Sequence, residues 1–159
     1  MQPKIIEKNR FTVIGMDCLT TTEDNADHQV VIELWDQFKP RIDEVQNKKN
    51  PTKMVGIYDQ RKNYPNRFAY IASVEVSSLA EIPKGMIPKM INGSKYAIFT
   101  HQGELKSIDN TYNYIYNEWL PESEYDENKK GDNLEVFNID FSENESSDVD
   151  IYVAIKDPE

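Results

Sequence analysis

The sequence contains a single cysteine, Cys18, so the chain cannot form an intramolecular disulfide, which suits a reducing compartment. We expect Cys18 to be a buried structural thiol. The two histidines, His28 and His101, lie far apart, and neither has the cysteine or carboxylate spacing that zinc or iron sites require. The sequence therefore predicts neither a metal ion nor a cofactor.

Glycine is also sparse. The six glycines are scattered singly, which excludes a glycine-rich phosphate loop, and no Gly-x-Ser-x-Gly nucleophile elbow is present. No run approaches the roughly 20 apolar residues that a membrane-spanning helix needs, and the N-terminus lacks the features of a signal peptide. These absences predict a cytoplasmic protein with no membrane partner.

Basic residues are outnumbered, because 18 Lys+Arg stand against 28 Asp+Glu and give a net charge of −10. This charge repels a phosphate backbone, so we expect no direct binding of nucleic acid. With 159 residues the chain has the usual length of one domain and can bury a core of its own. We predict a single domain over residues 1–159.

The sequence does contain clear hydrophobic patterns. Two apolar stripes with helical spacing predict two helices, each followed by proline. The stripes consist of Val31, Leu34, Trp35 and Phe38, and of Ile108, Tyr112, Ile115 and Trp119. The segments with the length and composition of strands are 11–19, 53–60, 68–76, 94–103, 134–141 and 150–156, with turns predicted at 61–66 and 142–149.

The order strand, helix, strand, strand occurs twice along the chain. We interpret this as an internal duplication with pseudo-repeats at about 1–80 and 81–157. Two such units bury their apolar stripes when the strands form one antiparallel sheet or two half-sheets and both helices lie on the same side. The predicted fold is therefore α+β, with a groove between the equivalent halves.

The segment "LEVFNIDF" places a carboxylate on an apolar face. If side chains alternate along a strand, Glu135 shares a face with Phe137 and Phe141. Its approximate counterpart in the first half is Gly56, so the carboxylate belongs to one half only, which favours a site over shared structure. The alternative is an edge-strand carboxylate in water. Glu75 alternates with Val74 and Val76, and we expect it to be an ordinary solvent-facing carboxylate.

Four segments together resemble the GyrI-like, or AraC-type effector-binding, domain family: "EIPKGMIPKMINGSKYAIFTHQG", "YNYIYNEWLPESEYD", "NLEVFNIDF" and "DIYVAIK". The resemblance covers residues 1–157 and implies a ligand groove at the pseudo-two-fold axis, a multidrug-binding-like groove for lipophilic, often cationic and aromatic, compounds. It also implies that Glu135 anchors the cation. Trp119 matches the family's Trp-Leu-Pro segment and is expected to line the groove. The further candidates are Tyr58, Tyr152, Phe137, Trp35 and Met86, each of which could instead be an ordinary core residue.

The resemblance leaves several functions open. Regulators of this family carry a DNA-binding domain, for which this sequence leaves no residues, so we expect a stand-alone sensing or sequestering protein. Some single-domain members resemble hydrolases of strained cyclopropane-bearing compounds, and Glu135 would then be catalytic. A third reading is an acidic module that binds a protein partner, as the gyrase-inhibiting members do. Monomer and dimer are both open.

Overall fold

The computed structural model describes residues 1–21, 26–64, 67–104, 107–141 and 148–159. Within these residues the chain forms one antiparallel sheet of nine strands with two helical regions, which confirms the predicted α+β class. The strands are β1 Lys4–Lys8, β2 Phe11–Thr21, β3 Lys53–Tyr64, β4 Arg67–Val76, β5 Ile87–Ile91, β6 Ser94–His101, β7 Asp126–Glu127, β8 Asn133–Asn138 and β9 Val149–Lys156.

The first helical region is α1, Ala26–Phe38, which continues as a 3₁₀ segment, Lys39–Glu44, that contains Pro40. The second is α2, Ile108–Tyr114, followed by a π-helical turn, Ile115–Trp119, and by α3, Leu120–Glu122. Both predicted helices are thus present, and the π-helical turn is an addition. The predicted turn at 142–149 lies mostly outside the described residues, as do Pro65 and Asn66 of the turn at 61–66.

The strand order is β1-β6-β9-β8-β3-β4-β2-β5, with β7 paired to β9. The central pair is β3 and β8, and the same sequence of elements follows on each side: β4, β2 and β5 beyond β3, and β9, β6 and β1 beyond β8. Each outermost strand pairs across the halves, because β1 joins β6 and β5 joins β2. The sequence patterns missed β1, β5 and β7; β5 contains Pro88, which is tolerated because β5 is an edge strand.

Both helices cover one face of the sheet, as predicted. Their apolar residues belong to a single buried cluster with residues from six strands. A second buried cluster consists of strand residues only and lies on the opposite face: Phe11, Val13, Val55, Ile57, Ile71, Ile91, Tyr96, Leu134 and Ala154. Alternation along the central strands separates the two clusters, since Leu134 belongs to the second and Phe137 to the first.

The sheet curls around the second cluster. Only Asn9 and Arg10 connect β1 to β2, and only Asn92 and Gly93 connect β5 to β6, although these strands lie near opposite ends of the sheet. The two links touch, because a Cβ atom on Gly93 would lie 2.7 Å from the carbonyl oxygen of Lys8. The ends of the sheet therefore meet, and a face without helices is still buried.

No helix of the described residues is long and apolar enough to cross a membrane.

Candidate functional site

Glu135 lies at the centre of the sheet. In β8 it stands opposite Gly56 of β3 and opposite Ile151 of β9. The residue is 5% exposed, and Phe137 on the same face is equally buried. The reading of Glu135 as an edge-strand carboxylate in water is therefore wrong, and its assignment to an apolar face is confirmed.

Two tyrosine hydroxyls donate hydrogen bonds to the same oxygen of this carboxylate. Tyr112 of α2 makes a short hydrogen bond to Glu135 Oε2, and Tyr58 of β3 donates to that atom over 3.3 Å. Burial, followed by the negative charge of Glu135, raises the pKa of Tyr112 well above its ordinary value. Tyr112 consequently stays protonated and remains a donor at neutral pH.

A third tyrosine explains why the other half has a glycine opposite Glu135. A Cβ atom on Gly56 would lie 2.1 Å from the hydroxyl oxygen of Tyr70. Trp35 Nε1 donates to that oxygen over 2.9 Å, and the Tyr58 ring packs edge-on against Tyr70 with 5.0 Å between centroids. Burial and the charge of Glu135 raise the pKa of Tyr70 well above its ordinary value. An aromatic ring thus fills the position where a second side chain would stand.

The two helices cover different halves of the sheet, with the central strand pair between them. Helix α1 packs on β2 and β4, and its Trp35 lies edge-on to Phe137, with 5.6 Å between ring centroids. Beyond α2, Trp119 of the π-helical turn packs edge-on against Phe99 of β6 at 5.1 Å and stacks on Tyr125 at 6.4 Å. Glu135 lies on the strand pair that separates these two packed units.

The structure brings together part of the predicted site. Tyr58 contacts Glu135 directly, while Trp35 and Phe137 form an aromatic contact on the same face. The ring contacts of Trp119 are with Phe99 and Tyr125, on the half of the sheet covered by the second helical region.

Two predicted lining residues lie elsewhere. Tyr152 follows Ile151, which stands opposite Glu135, so strand alternation directs Tyr152 to the opposite face, where its ring packs on Tyr96. Tyr152 therefore does not share a groove with Glu135. Met86 is buried in the helix-face cluster just before β5, as an ordinary core residue would be.

The sequence argument missed Tyr112 as a partner of the carboxylate and Tyr70 as the residue that fills the space beside Gly56. Tyr112 was visible only as part of an apolar helix stripe, and Tyr70 only as a strand residue. Register brings Tyr70 opposite Tyr58. A further tyrosine, Tyr116, accepts a hydrogen bond from Asn133 Nδ2 over 2.9 Å, and burial raises the pKa of Tyr116 to about 12. None of these contacts follows from spacing along the chain.

Comparison with known proteins places this arrangement among effector-binding proteins. The family model described as integron-associated effector binding protein (Cass2) matches residues 4–155. The transcriptional regulator BrlR of Pseudomonas aeruginosa is 32% identical over 157 residues, which is 98% of this chain but 56% of the regulator. The chain thus spans a little over half the length of that relative.

Two solved structures share the fold. The structure of SAV2435 bound to tetraphenylphosphonium superposes with a TM-score of 0.75 at 17% identity, covering 98% of this chain and 94% of that one. An integron cassette protein from the mobile metagenome of Vibrio cholerae superposes with a TM-score of 0.68 at 20% identity, covering 98% and 96%. At these identities the likeness concerns the fold alone.

Proposed function

The chain belongs to the family of integron-associated effector binding proteins, and from this premise we propose that it binds a lipophilic aromatic cation between its two helices, with Glu135 as the charge partner. The resemblance seen in the sequence is thereby confirmed at the level of the family. Sensing or sequestration of the compound, without chemical change, is the activity that we assign to the site.

The observation that carries the proposal is the central, buried carboxylate held by two tyrosines. Burial of a carboxylate costs free energy that hydrogen bonds and a nearby cation offset. Tyr112 and Tyr58 both donate to Oε2 of Glu135 and so fix the orientation of the group. A cation that reaches this carboxylate is attracted more strongly than at the surface, because the surroundings are poorly hydrated.

Aromatic rings supply the remaining recognition. Tyr58, Tyr70, Trp35 and Phe137 lie on the same face as Glu135 and contact one another edge to face. The faces of such rings attract a desolvated cation by roughly 0.5–2 kcal/mol each. Trp119 is proposed to line the groove from the side of the second helical region. We assign no ligand contact to Met86 or Tyr152.

The proposal is tested by titrating the protein with tetraphenylphosphonium, the compound bound in the related SAV2435 structure. The neutral triphenylphosphine oxide keeps three of the four phenyl rings and serves as the comparison ligand. Tryptophan fluorescence and calorimetry report binding, and chromatography establishes whether the ligand is recovered unchanged. We expect Glu135→Gln to weaken binding of the cation at least tenfold, about 1.4 kcal/mol, and to leave the neutral compound unaffected.

Glu118→Gln is the matched control, because it removes a carboxylate that is exposed on the π-helical turn of the same helical region. This variant should bind the cation as the native chain does. Equal binding of the phosphonium by the native chain and by Glu135→Gln would contradict the assigned role. A chemically altered ligand would contradict simple binding and favour the hydrolase reading.

A further inference from the structure

The face of the sheet opposite Glu135 carries a pocket with a volume of about 120 Å³. Its lining includes Val55, Leu134 and Val136, which are the immediate chain neighbours of Gly56 and Glu135 on the two central strands. Because successive strand side chains point to opposite faces, these three residues point away from the Glu135 site. The pocket therefore lies directly behind that site, on the inside of the curled sheet.

The polar rim of this pocket begins with Glu75 of β4. Its side chain is 13% exposed, and its carboxylate oxygens form ion pairs with Lys8 Nζ at 3.1 Å and with Lys49 Nζ at 3.4 Å. The expectation that Glu75 is an ordinary solvent-facing carboxylate is therefore wrong. Two ammonium groups already neutralise this carboxylate, so it is a poor partner for a further cation.

Lys53 is the second lysine of the lining, and with Lys8 it gives the lining one more positive than negative side chain. Lys53 Nζ lies 2.6 Å from Asn138 Oδ1, a neutral acceptor, and no carboxylate of the described residues forms an ion pair with Lys53. Lys8 and Lys53 thus line the pocket together with Glu75, and Lys49, which is not part of the lining, pairs with Glu75 as well, in a protein of net charge −10. At physiological salt, screening weakens the field of charges that lie more than about 8 Å away. The side chains that line the pocket therefore decide whether an anion or a cation is favoured.

A tyrosine adds a hydrogen-bond donor, and aromatic and aliphatic side chains form the walls. Burial, followed by the charges of Asp150 and Glu75, raises the pKa of Tyr152, so its hydroxyl stays protonated. Asp150, its acidic neighbour on β9, accepts a hydrogen bond from Thr100 over 2.7 Å. The rings of Phe11 and Tyr152 contribute apolar wall. The pocket therefore offers positive charge, one hydroxyl and apolar surface together.

The volume limits the ligand to a small molecule. A closed cavity of roughly 150 Å³ holds a benzene molecule, so this smaller pocket takes up part of one ring and leaves the carboxylate outside, at the partly exposed lysines. Drug-sized ligands need pockets of about 300–1,000 Å³. We propose that this pocket is a second ligand site, which binds a small organic carboxylate with a short apolar body. Lys53 and Lys8 hold its carboxylate, and its body lies against Leu134, Val136 and Tyr152. The site shares no side chain with the Glu135 site.

Chemical-shift mapping with benzoate tests this assignment on the native chain. Saturable shifts are expected at the backbone amides of Val55, Val136 and Tyr152. The neutral analogue benzamide should leave these amides unchanged, and inorganic phosphate, which lacks an apolar body, should bind at least tenfold more weakly than benzoate. Absence of saturable shifts at these amides would overturn the proposal, and so would equal binding of benzamide or phosphate.

Substitutions separate this site from the Glu135 site. Lys53→Gln should weaken benzoate binding at least tenfold, whereas Lys156→Gln, which removes a surface lysine paired with Glu159, should not change it. Equal losses of benzoate affinity in the two variants would overturn the proposal, because they would mean that only the overall charge of the protein matters. Glu135→Gln should leave benzoate binding intact, so failure of the cation experiment and failure of this one are distinguishable. Far-UV circular dichroism of each variant verifies the fold.

Discussion

Gly56 and Glu135 occupy facing positions on the two central strands, and there is a steric reason why one is a glycine while the other carries a long side chain. The Tyr70 hydroxyl occupies the place where a Cβ atom of Gly56 would stand, and Trp35 donates to that hydroxyl. The sequence alone identified Glu135 as unusual and Gly56 as its counterpart. It could not reveal Tyr70, because that contact depends on strand register and ring orientation.

Gly56→Ala should destabilise the protein by about 1–3 kcal/mol, the usual cost of overpacking a core. The added methyl group forces the Tyr70 ring to move and weakens its hydrogen bond with Trp35. Urea denaturation measures the change in the free energy of unfolding. In combination with Tyr70→Phe the cost of Gly56→Ala should be smaller, since the closest clashing atom is gone; strictly additive costs would refute this explanation.

Tyr112→Phe should cost about 1–3 kcal/mol of stability, because it removes a donor from the buried carboxylate of Glu135. Tyr58→Phe should cost less, since its hydrogen bond of 3.3 Å is the longer of the two. Denaturant unfolding of both variants checks the order. The penalty of Tyr112→Phe should shrink in a Glu135→Gln background, where no charge needs the donor, and an unchanged penalty there would contradict the assigned contact.

At the scale of elements, the sequence patterns predicted neither the edge strands nor the π-helical turn. β1 and β5 have five residues each, and β5 contains Pro88, so neither shows a convincing alternating pattern. The stripe from Ile108 to Trp119 predicts one regular helix, yet the segment Ile115–Trp119 is π-helical. A π-helical turn changes the angular position of the residues that follow it, and here Trp119 packs between Phe99 and Tyr125.

Gly93→Ala should destabilise the protein by about 1–3 kcal/mol, because its Cβ atom would meet the backbone of the crossing link. The carbonyl oxygen of Lys8 would lie 2.7 Å away and the amide nitrogen of Arg10 3.1 Å away. Thermal and urea unfolding provide the measurement. Asn92→Ala, at an exposed position of the same link, is the control and should change stability little; equal losses would show that the contact between the links is unimportant.

For the whole molecule, tyrosines with raised pKa values on the sheet and on the second helical region set the alkaline limit of stability. Burial raises the pKa of Tyr70, Tyr96, Tyr112 and Tyr116, in the last case to about 12. Each raised pKa favours the protonated folded state. That contribution is complete below the unfolded pKa of about 10 and is lost as the pH rises through the folded value.

The free energy of unfolding should therefore decline above about pH 10. Each of these tyrosines steepens that decline by up to about 1.4 kcal/mol per pH unit. Urea unfolding at a series of alkaline pH values, with tyrosinate absorbance followed in parallel, tests this expectation. Tyr116→Phe removes one such group and should make the decline less steep, whatever its effect at neutral pH. An unchanged slope would show that Tyr116 ionises equally easily in the folded chain.

The sequence by itself determined the α+β class, the two helices, most of the strands and the oddity of Glu135, because these depend on periodicity within short segments. Only the tertiary structure decided that Tyr112 and Tyr58 donate hydrogen bonds to that carboxylate, that Tyr152 faces away from it, and that Glu75 pairs with two lysines. These contacts join strands and helices distant along the chain. Register, curling of the sheet and ring packing fix them, and no local pattern encodes any of the three.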